Sequence, residues 1–394
     1  MASDHAMTGA AALTARRGAR SASRLGVGWE GPLLLLCALV LLSFGLVVVY
    51  SASTVMAKAE GLPDHYFLTR QAVGAGLGLA GLVVLARMDY RLLRRLAWPL
   101  LGLVWLALIL VVLPWTEAVA PEANGARRWL LVGGVSLQPS EFAKFAMVAW
   151  TAALAVKKQD RLRSLSRGLM PFLIIWTAVA LPVLFQPDLS TALLAVLLAV
   201  LVVLAAGGRI GHFVLLGLAA LPAVWTVVSR SSYRLQRIDA FLDPTRDPAG
   251  LGYQINQSLV ALGSGGVLGR GVGQGQQKFG FLPEPHNDFI FAMIGEEWGL
   301  LGTGSVVLLI VAITLIGYRI ARNSPDLFGS LLAIGMTNLI VAQALLHMAV
   351  TTALVPTTGL TLPFISYGRS SLLVCLAAVG VLISVGRAGA EARP

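Results

Sequence analysis

Hydrophobic positions in this chain fall in long unbroken runs rather than in alternation. Ten such stretches, at 32–52, 71–87, 96–114, 140–156, 168–185, 189–207, 210–229, 299–318, 327–349 and 368–386, each predict an apolar helix. A helix needs about 20 apolar residues to cross the roughly 30 Å hydrocarbon layer of a bilayer. The pattern therefore predicts an all-α integral membrane protein with ten spans and both termini on one side. An outer-membrane barrel is excluded, since its strands are short and alternate apolar with polar. The organisation expected is a basic, disordered cytoplasmic tail over 1–30, a single membrane domain over 31–388 and a short cytoplasmic tail over 389–394. Outer loops are expected at about 115–139, 230–298 and 350–367, the largest lying between spans seven and eight.

Composition agrees with the pattern. Of 394 residues, 57% are hydrophobic and only 12% charged, against about 25% charged in a soluble domain. Cys37 and Cys375 both sit inside apolar runs, at a spacing that suits neither a disulfide framework nor a zinc site. The basic stretch Arg16, Arg17, Arg20 and Arg24 lies too far from the first run, and that run is too long, for an ordinary signal peptide.

Charge orients the spans. With the N-terminus inside, inner segments hold 18 Lys/Arg against 6 Asp/Glu, and outer segments 12 against 13. This positive-inside bias is the one expected of an N-in, C-in protein. It accounts for the net charge of +11 without nucleic acid, so no nucleic-acid partner is expected.

The inner loops are short, which leaves chemistry to the outer face, where no ATP pool exists. The glycine-rich run Gly263–Gly273 fails the P-loop pattern, because no Gly-Lys-Ser/Thr follows it. It reads as a mobile or tightly turning loop. Ionisable residues within or beside spans are functional candidates. Gln138-Pro139-Ser140-Glu141 opens the fourth span, with Pro139 suited to a first helical position and Glu141 to a first turn. Lys144 lies three residues on, placed either to pair with Glu141 or to line a polar cavity with it. Asp188 reads equally as a helix N-cap.

The segment Pro283-Glu284-Pro285-His286-Asn287-Asp288-Phe289 leads into Gly295-Glu296-Glu297-Trp298-Gly299. A helix over 288–321 is about 51 Å long at 1.5 Å per residue, longer than the hydrocarbon layer. Residues 288–298 are therefore expected at or above the outer interface, or lining a cavity. From spacing alone Asp288 is either an N-cap or a functional acid. His286 has no second ligand at i+4, where Ile290 stands, and so points to no metal site. A last outer turn, Pro356–Ser371, is rich in Pro, Gly and hydroxyls and carries Ser366, Arg369 and Ser370.

Taken in order, Ala126–Trp129, Gln138–Lys144, Gln186–Ser190, Gly252-Tyr253-Gln254, Pro283–Gly299 and Gly359–Ser371 resemble the motifs of the SEDS family (shape, elongation, division, sporulation), and its division members more than its elongation members. The resemblance implies a peptidoglycan glycosyltransferase that polymerises lipid II on the outer face of the cytoplasmic membrane at the division septum. It implies a class B penicillin-binding protein and other division proteins as partners. By the family's pattern Asp288 is the catalytic residue. Arg128, Glu141, Lys144, Asp188, Arg234, Lys278, Glu284, His286, Ser366, Arg369 and Ser370 are the candidate substrate-binding residues. The arginines and lysines among them are candidate phosphate ligands. No cofactor is called for. A divalent cation is a candidate helper at the pyrophosphate, although no dedicated cage of oxygen ligands is visible.

Three positions depart from the family's pattern. Arg369 stands for a glycine, Thr358 for a lysine common in division members, and His347 for an asparagine. A lipid II transporter is the competing function. Against it stand the lack of an internal repeat and the gathering of motifs at one face.

Overall fold

The computed structural model describes residues 28–122, 126–244 and 250–392. The basic tail with its four arginines, Asn124-Gly125 and the last two residues lie outside the described residues.

All ten apolar runs fold as helices; most borders move by five residues or fewer, but the first helix runs seven residues past 52 and the eighth begins nine residues before 299. In chain order they are α1 (Glu30–Ala59), α2 (Tyr66–Arg87), α3 (Arg91–Val112), α4 (Pro139–Lys157), α5 (Met170–Phe185), α6 (Leu189–Ala205) and α7 (Ile210–Ser229). Two shorter helices follow, α8 (Ser232–Leu242) and α9 (Leu251–Ser264). The last three are α10 (Ile290–Arg322), α11 (Leu327–Thr351) and α12 (Arg369–Glu391). Among the described residues eight helices are long and apolar enough to cross a membrane, α5 being counted with the π-helical turn Leu165–Leu169 that leads into it. Of the other two, α6 is apolar but has 17 residues, and α4 carries Glu141 and Lys144.

The bundle is built around α4, α11 and α12. Most of α4 is buried by protein, including Glu141 and Lys144, so these two charges are kept from lipid. The most extensive pairing joins α2 to α12. Glycines permit it: a Cβ on Gly78 would come within 2.5 Å of Leu376 Cδ1, and one on Gly380 within 2.6 Å of the Leu82 carbonyl oxygen. Without a hydrophobic drive between helices in lipid, close backbone approach at small residues is what holds such pairs. By contrast α7 buries only Val228.

The outer loops contain structure that the runs did not announce. The 115–139 loop carries a hairpin, β1 (Leu130–Val132) with β2 (Val135–Leu137), in the register Leu130↔Leu137 and Val132↔Val135. Its two turn residues, Gly133 and Gly134, have φ of 57° and 78°, the backbone that a tight hairpin turn demands. The 230–298 stretch contains α8 and α9 before a long coil that leads into α10.

That coil explains the glycine-rich run, which proves to be a tight turn fixed to a helix break. Helix α10 is kinked at Gly299 (φ 63°, ψ −155°), so carbonyls and N–H groups on either side lose their helical partners. The glycine run supplies them: Arg270 and Gly271 N–H donate to the carbonyls of Glu296 and Glu297, and Leu300 and Leu301 N–H donate to Gly266 and Val267. Gly265 and Gly269 touch the α10 backbone so closely that a Cβ on either would overlap it.

Candidate active site at the outer loops

Asp288 does not cap α10. The helix starts after Phe289 and has no side-chain cap. Instead Glu284 accepts the N–H groups of Asn287 (3.1 Å) and Asp288 (3.2 Å) on its carbonyl, closing a tight turn that presents Asp288. Its carboxylate takes part in no hydrogen bond or ion pair among the described residues. Burial pushes the Asp288 pKa up to about 6, and the Glu284 carboxylate pushes the same way, while Arg237 and Arg128 pull it down. Such a group is ionised at neutral pH yet basic enough to take a proton, which is the range for a general base.

The walls around Asp288 come from two loops joined through backbone and side chains. Tyr367 N–H donates to the His286 carbonyl (3.0 Å), and Ser366 Oγ donates to the Asn287 carbonyl (2.9 Å) while accepting from Leu362 N–H. Gln71 of α2 fastens the far side, donating to the Ser366 carbonyl and accepting from Gly368 N–H. A Cβ on Gly359 would lie 3.9 Å from Asp288 Oδ2, so the 356–371 turn passes directly over the acid. His286 is sandwiched between Phe67 and Tyr367, with ring centroids 4.7 and 5.4 Å away. Desolvation lowers its pKa to about 4, which makes it a neutral wall at physiological pH. Glu284 is half-exposed at 3.9 Å from His286 Nε2, its own pKa raised by burial and by Glu60.

The expected phosphate ligands divide. Arg128 donates Nε to the Gln186 carbonyl (3.0 Å) and Nη2 to that of Pro187 (3.1 Å), which leaves Nη1 uncommitted near Asp288. Lys144 does not face outward. It is fully buried, donating to Glu141 Oε1 (2.9 Å) and to Gln343 Oε1 (2.7 Å). Lys278 is buried as well, bound to Glu297 (2.9 Å), Ser51 and the Gly273 carbonyl. Arg234 turns back to the Val227 carbonyl at the end of α7. Asp188 caps α6 by accepting Thr191 N–H (3.1 Å). Ser370 accepts Gln138 N–H (2.8 Å). Arg369 packs over Gly74 and donates to Ser136 of the hairpin (2.6 Å). Of the other two departures, Thr358 carries a buried hydroxyl with no partner among the described residues, and His347 Nδ1 lies 2.7 Å from the Leu360 carbonyl.

Two residues of consequence were not picked out from sequence. Arg237 of α8 donates Nη1 to the Thr357 carbonyl (3.0 Å) and Nη2 to Tyr233 OH (2.6 Å), with its Nε buried and unpaired. It is the cation that acts most strongly on Asp288. The signal was a Tyr–Arg pair at i, i+4 in an amphipathic stretch of the outer loop. Gln343 passes the Glu141–Lys144 pair on to the site loop, donating Nε2 to Thr361 and to Ser371 Oγ (2.7 Å). A buried amide inside an apolar span is the kind of residue that marks such a role. Among the described residues no three His, Cys, Asp or Glu side chains form a group able to hold a metal ion.

Fold and site together define an integral membrane protein of helices with one unpartnered acid, flanked by arginines, held where two polar loops meet. The chain belongs to the FtsW/RodA/SpoVE family of cell cycle proteins, whose model matches residues 32–390. It is 44% identical over 361 residues to a probable peptidoglycan glycosyltransferase FtsW of Trichlorobacter lovleyi, covering 92% of this chain and 94% of that one. It is 43% identical over 356 residues to stage V sporulation protein E of Bacillus subtilis, covering 90% and 96%. A solved peptidoglycan synthase complex that coordinates polymerization and crosslinking contains a chain of TM-score 0.74 and 31% identity, with 90% and 96% covered. The rod shape determining protein RodA of Thermus thermophilus matches with TM-score 0.61 and 29% identity, over 90% of this chain and 95% of that one.

Proposed function

We propose that the chain is a peptidoglycan glycosyltransferase that polymerises lipid II at the outer face of the bacterial cytoplasmic membrane during division, with ten spans and both termini inside. A class B penicillin-binding protein is its crosslinking partner at the septum, alongside other division proteins. The naming of the relatives as FtsW glycosyltransferases supports the activity. The observation that carries the assignment is Asp288, an acid without a partner, raised toward neutrality between Arg237 and Arg128.

The reaction is one inverting displacement. The 4-hydroxyl of the GlcNAc in an incoming lipid II attacks C1 of the MurNAc that ends the growing chain. The new C1–O bond forms as the bond from C1 to the polyprenyl pyrophosphate breaks, and the pyrophosphate departs with the electron pair. Asp288 receives the hydroxyl proton. The guanidinium groups of Arg237 and Arg128 are the proposed cations for neutralising the leaving pyrophosphate. No ATP is required, because the pyrophosphate ester brings the driving force with it.

The test is the purified chain with and without its transpeptidase partner, incubated with labelled lipid II and read as glycan length on a gel, alongside Asp288→Ala. Long glycans from the wild type and none from the folded variant are expected. A parallel arm with EDTA reads any need for a divalent cation. Full activity in Asp288→Ala, or lipid II flipping without polymer, would overturn the assignment.

A further inference from the structure

At the end of α10 opposite Asp288, α10 and Trp29, the residue before α1, line an open cavity of about 430 Å³ with Leu315, Ile316, Tyr318, Arg319 and Arg322. The two helices run antiparallel: Glu30 reaches Arg319 at one end, and Ser51 reaches Glu297 at the other. Arg319 is an exposed lining residue beside the buried Ile316. Its Nε donates to Glu30 Oε1 at 3.0 Å, and its guanidinium lies 5.0 Å from the centre of the Trp29 ring. That stacking holds the planar group beside Trp29, and its Nη groups have no hydrogen-bond partner among the described residues. Arg322, one turn on and exposed, has no ion-pair or hydrogen-bond partner among the described residues. Among the described residues two arginines meet one carboxylate here, which gives the cavity net positive charge.

The rim is aromatic and the approach is aliphatic. Trp29 and Tyr318 are each about two-fifths exposed, and Tyr318 is steadied by its hydroxyl donating to Asn338 Oδ1 at 2.7 Å. From the cavity Leu315, Val311 and Leu308 form an exposed strip along α10, and Leu33, Leu36 and Val40 form a matching one along α1. Each strip steps by three and four residues, the spacing of one helix face. Cations at the end, amphipathic rings at the level of the interface and apolar rails beneath follow the layering of a phospholipid.

We propose that this cavity seats one anionic glycerophospholipid, its phosphate between Arg319 and Arg322, its ester region against Trp29 and Tyr318, and an acyl chain along Leu315, Val311 and Leu308. The charge argues for an anionic head and the rails argue for a chain, so neither a free phosphate nor a neutral lipid satisfies both. The seat lies at the far end of the bundle from Asp288 and is independent of the reaction proposed above.

The experiment titrates delipidated full-length protein in detergent with phosphatidylglycerol or phosphatidylcholine of the same chains, and counts retained lipid by native mass spectrometry. Wild type is expected to keep one phosphatidylglycerol in preference to phosphatidylcholine. Arg322→Gln should weaken that adduct about fivefold, as removal of one basic residue at a lipid surface does. Leu315→Asn should weaken it while Arg319 and Arg322 remain. Equal retention of the two lipids, or an adduct unchanged in Arg322→Gln, would overturn the proposal. Displacement of the lipid by inorganic phosphate at equal concentration would also overturn it, by reducing the site to a simple anion patch. Arg322 is exposed and supports no packing, so its variant folds as the wild type does.

Discussion

Replacing Lys144 by Met tests whether this lysine holds substrate or holds the site together. Its ammonium is fully buried and donates to Glu141 Oε1 at 2.9 Å and to Gln343 Oε1 at 2.7 Å. Methionine fills similar space but leaves the Glu141 carboxylate, itself nearly buried, without a counter-charge. Breaking one side of a buried ion pair costs about 3–5 kcal/mol. The pair removed together, as Glu141→Leu with Lys144→Met, should recover all but about 1 kcal/mol, because no charge is then stranded. The double-mutant cycle should thus show coupling of at least about 2 kcal/mol. Function should suffer through geometry, because Gln343 ties Lys144 to Thr361 and Ser371, whose turn passes over Asp288. A shift of this turn by about 1 Å lowers kcat about a hundredfold, and KM for lipid II should stay within about twofold. The assays are equilibrium unfolding in mixed micelles and steady-state polymerisation. The reasoning is refuted if Lys144→Met unfolds within about 1 kcal/mol of wild type while KM rises tenfold or more, because Lys144 would then be touching substrate.

The pH profile is a second test. Asp288 has its pKa raised to about 6, so the base form is lost as pH falls through about 6, and kcat/KM should drop below that point. Glu284→Gln removes one of the causes of that rise and should move the acid limb to lower pH. Asp288→Asn should lose at least about a hundredfold in rate while folding no less stably, since the acid has no partner to lose; a melting temperature well below wild type would count against this. Arg237→Gln should slow polymerisation by about tenfold or more by weakening charge-assisted contacts to the pyrophosphate, and wild-type kinetics in this variant would remove Arg237 from the site. Gly269→Ala should destabilise by more than about 2 kcal/mol, because φ is 79° there and the new methyl would strike the Glu297 carbonyl; thermal unfolding checks it. Arg369→Gly should free the hairpin from the site turn, seen as faster amide exchange over 130–137 and a stability loss of about 1–2 kcal/mol for the charged hydrogen bond to Ser136.

Much of this protein is determined by its sequence alone, and the reason is the solvent. A bilayer forces each run of about 20 apolar residues into a helix, since no backbone polar group can be left open there. All ten helices were therefore legible as runs, as was the opening of α4 at Pro139. Asp288 was singled out by the motif resemblance while spacing alone left it balanced against a helix cap, and the structure removes the cap. Tertiary structure decided which charges remain free to act. Lys144, Lys278 and Arg128 all read alike as outer cations, yet folding buries the first two against Glu141 and Glu297 and leaves only Arg128 beside Asp288. Arg237 rises to the same importance because α8, which no apolar run announced, carries it to the Thr357 turn. The glycine run is similar: its sequence promised a turn, and only the break at Gly299 shows that it completes the hydrogen bonds of α10. Helix formation depends on neighbours along the chain and on the surrounding solvent. Pairing of a buried charge depends on which residues, 19 or 199 positions away, the packing brings within 3 Å of it.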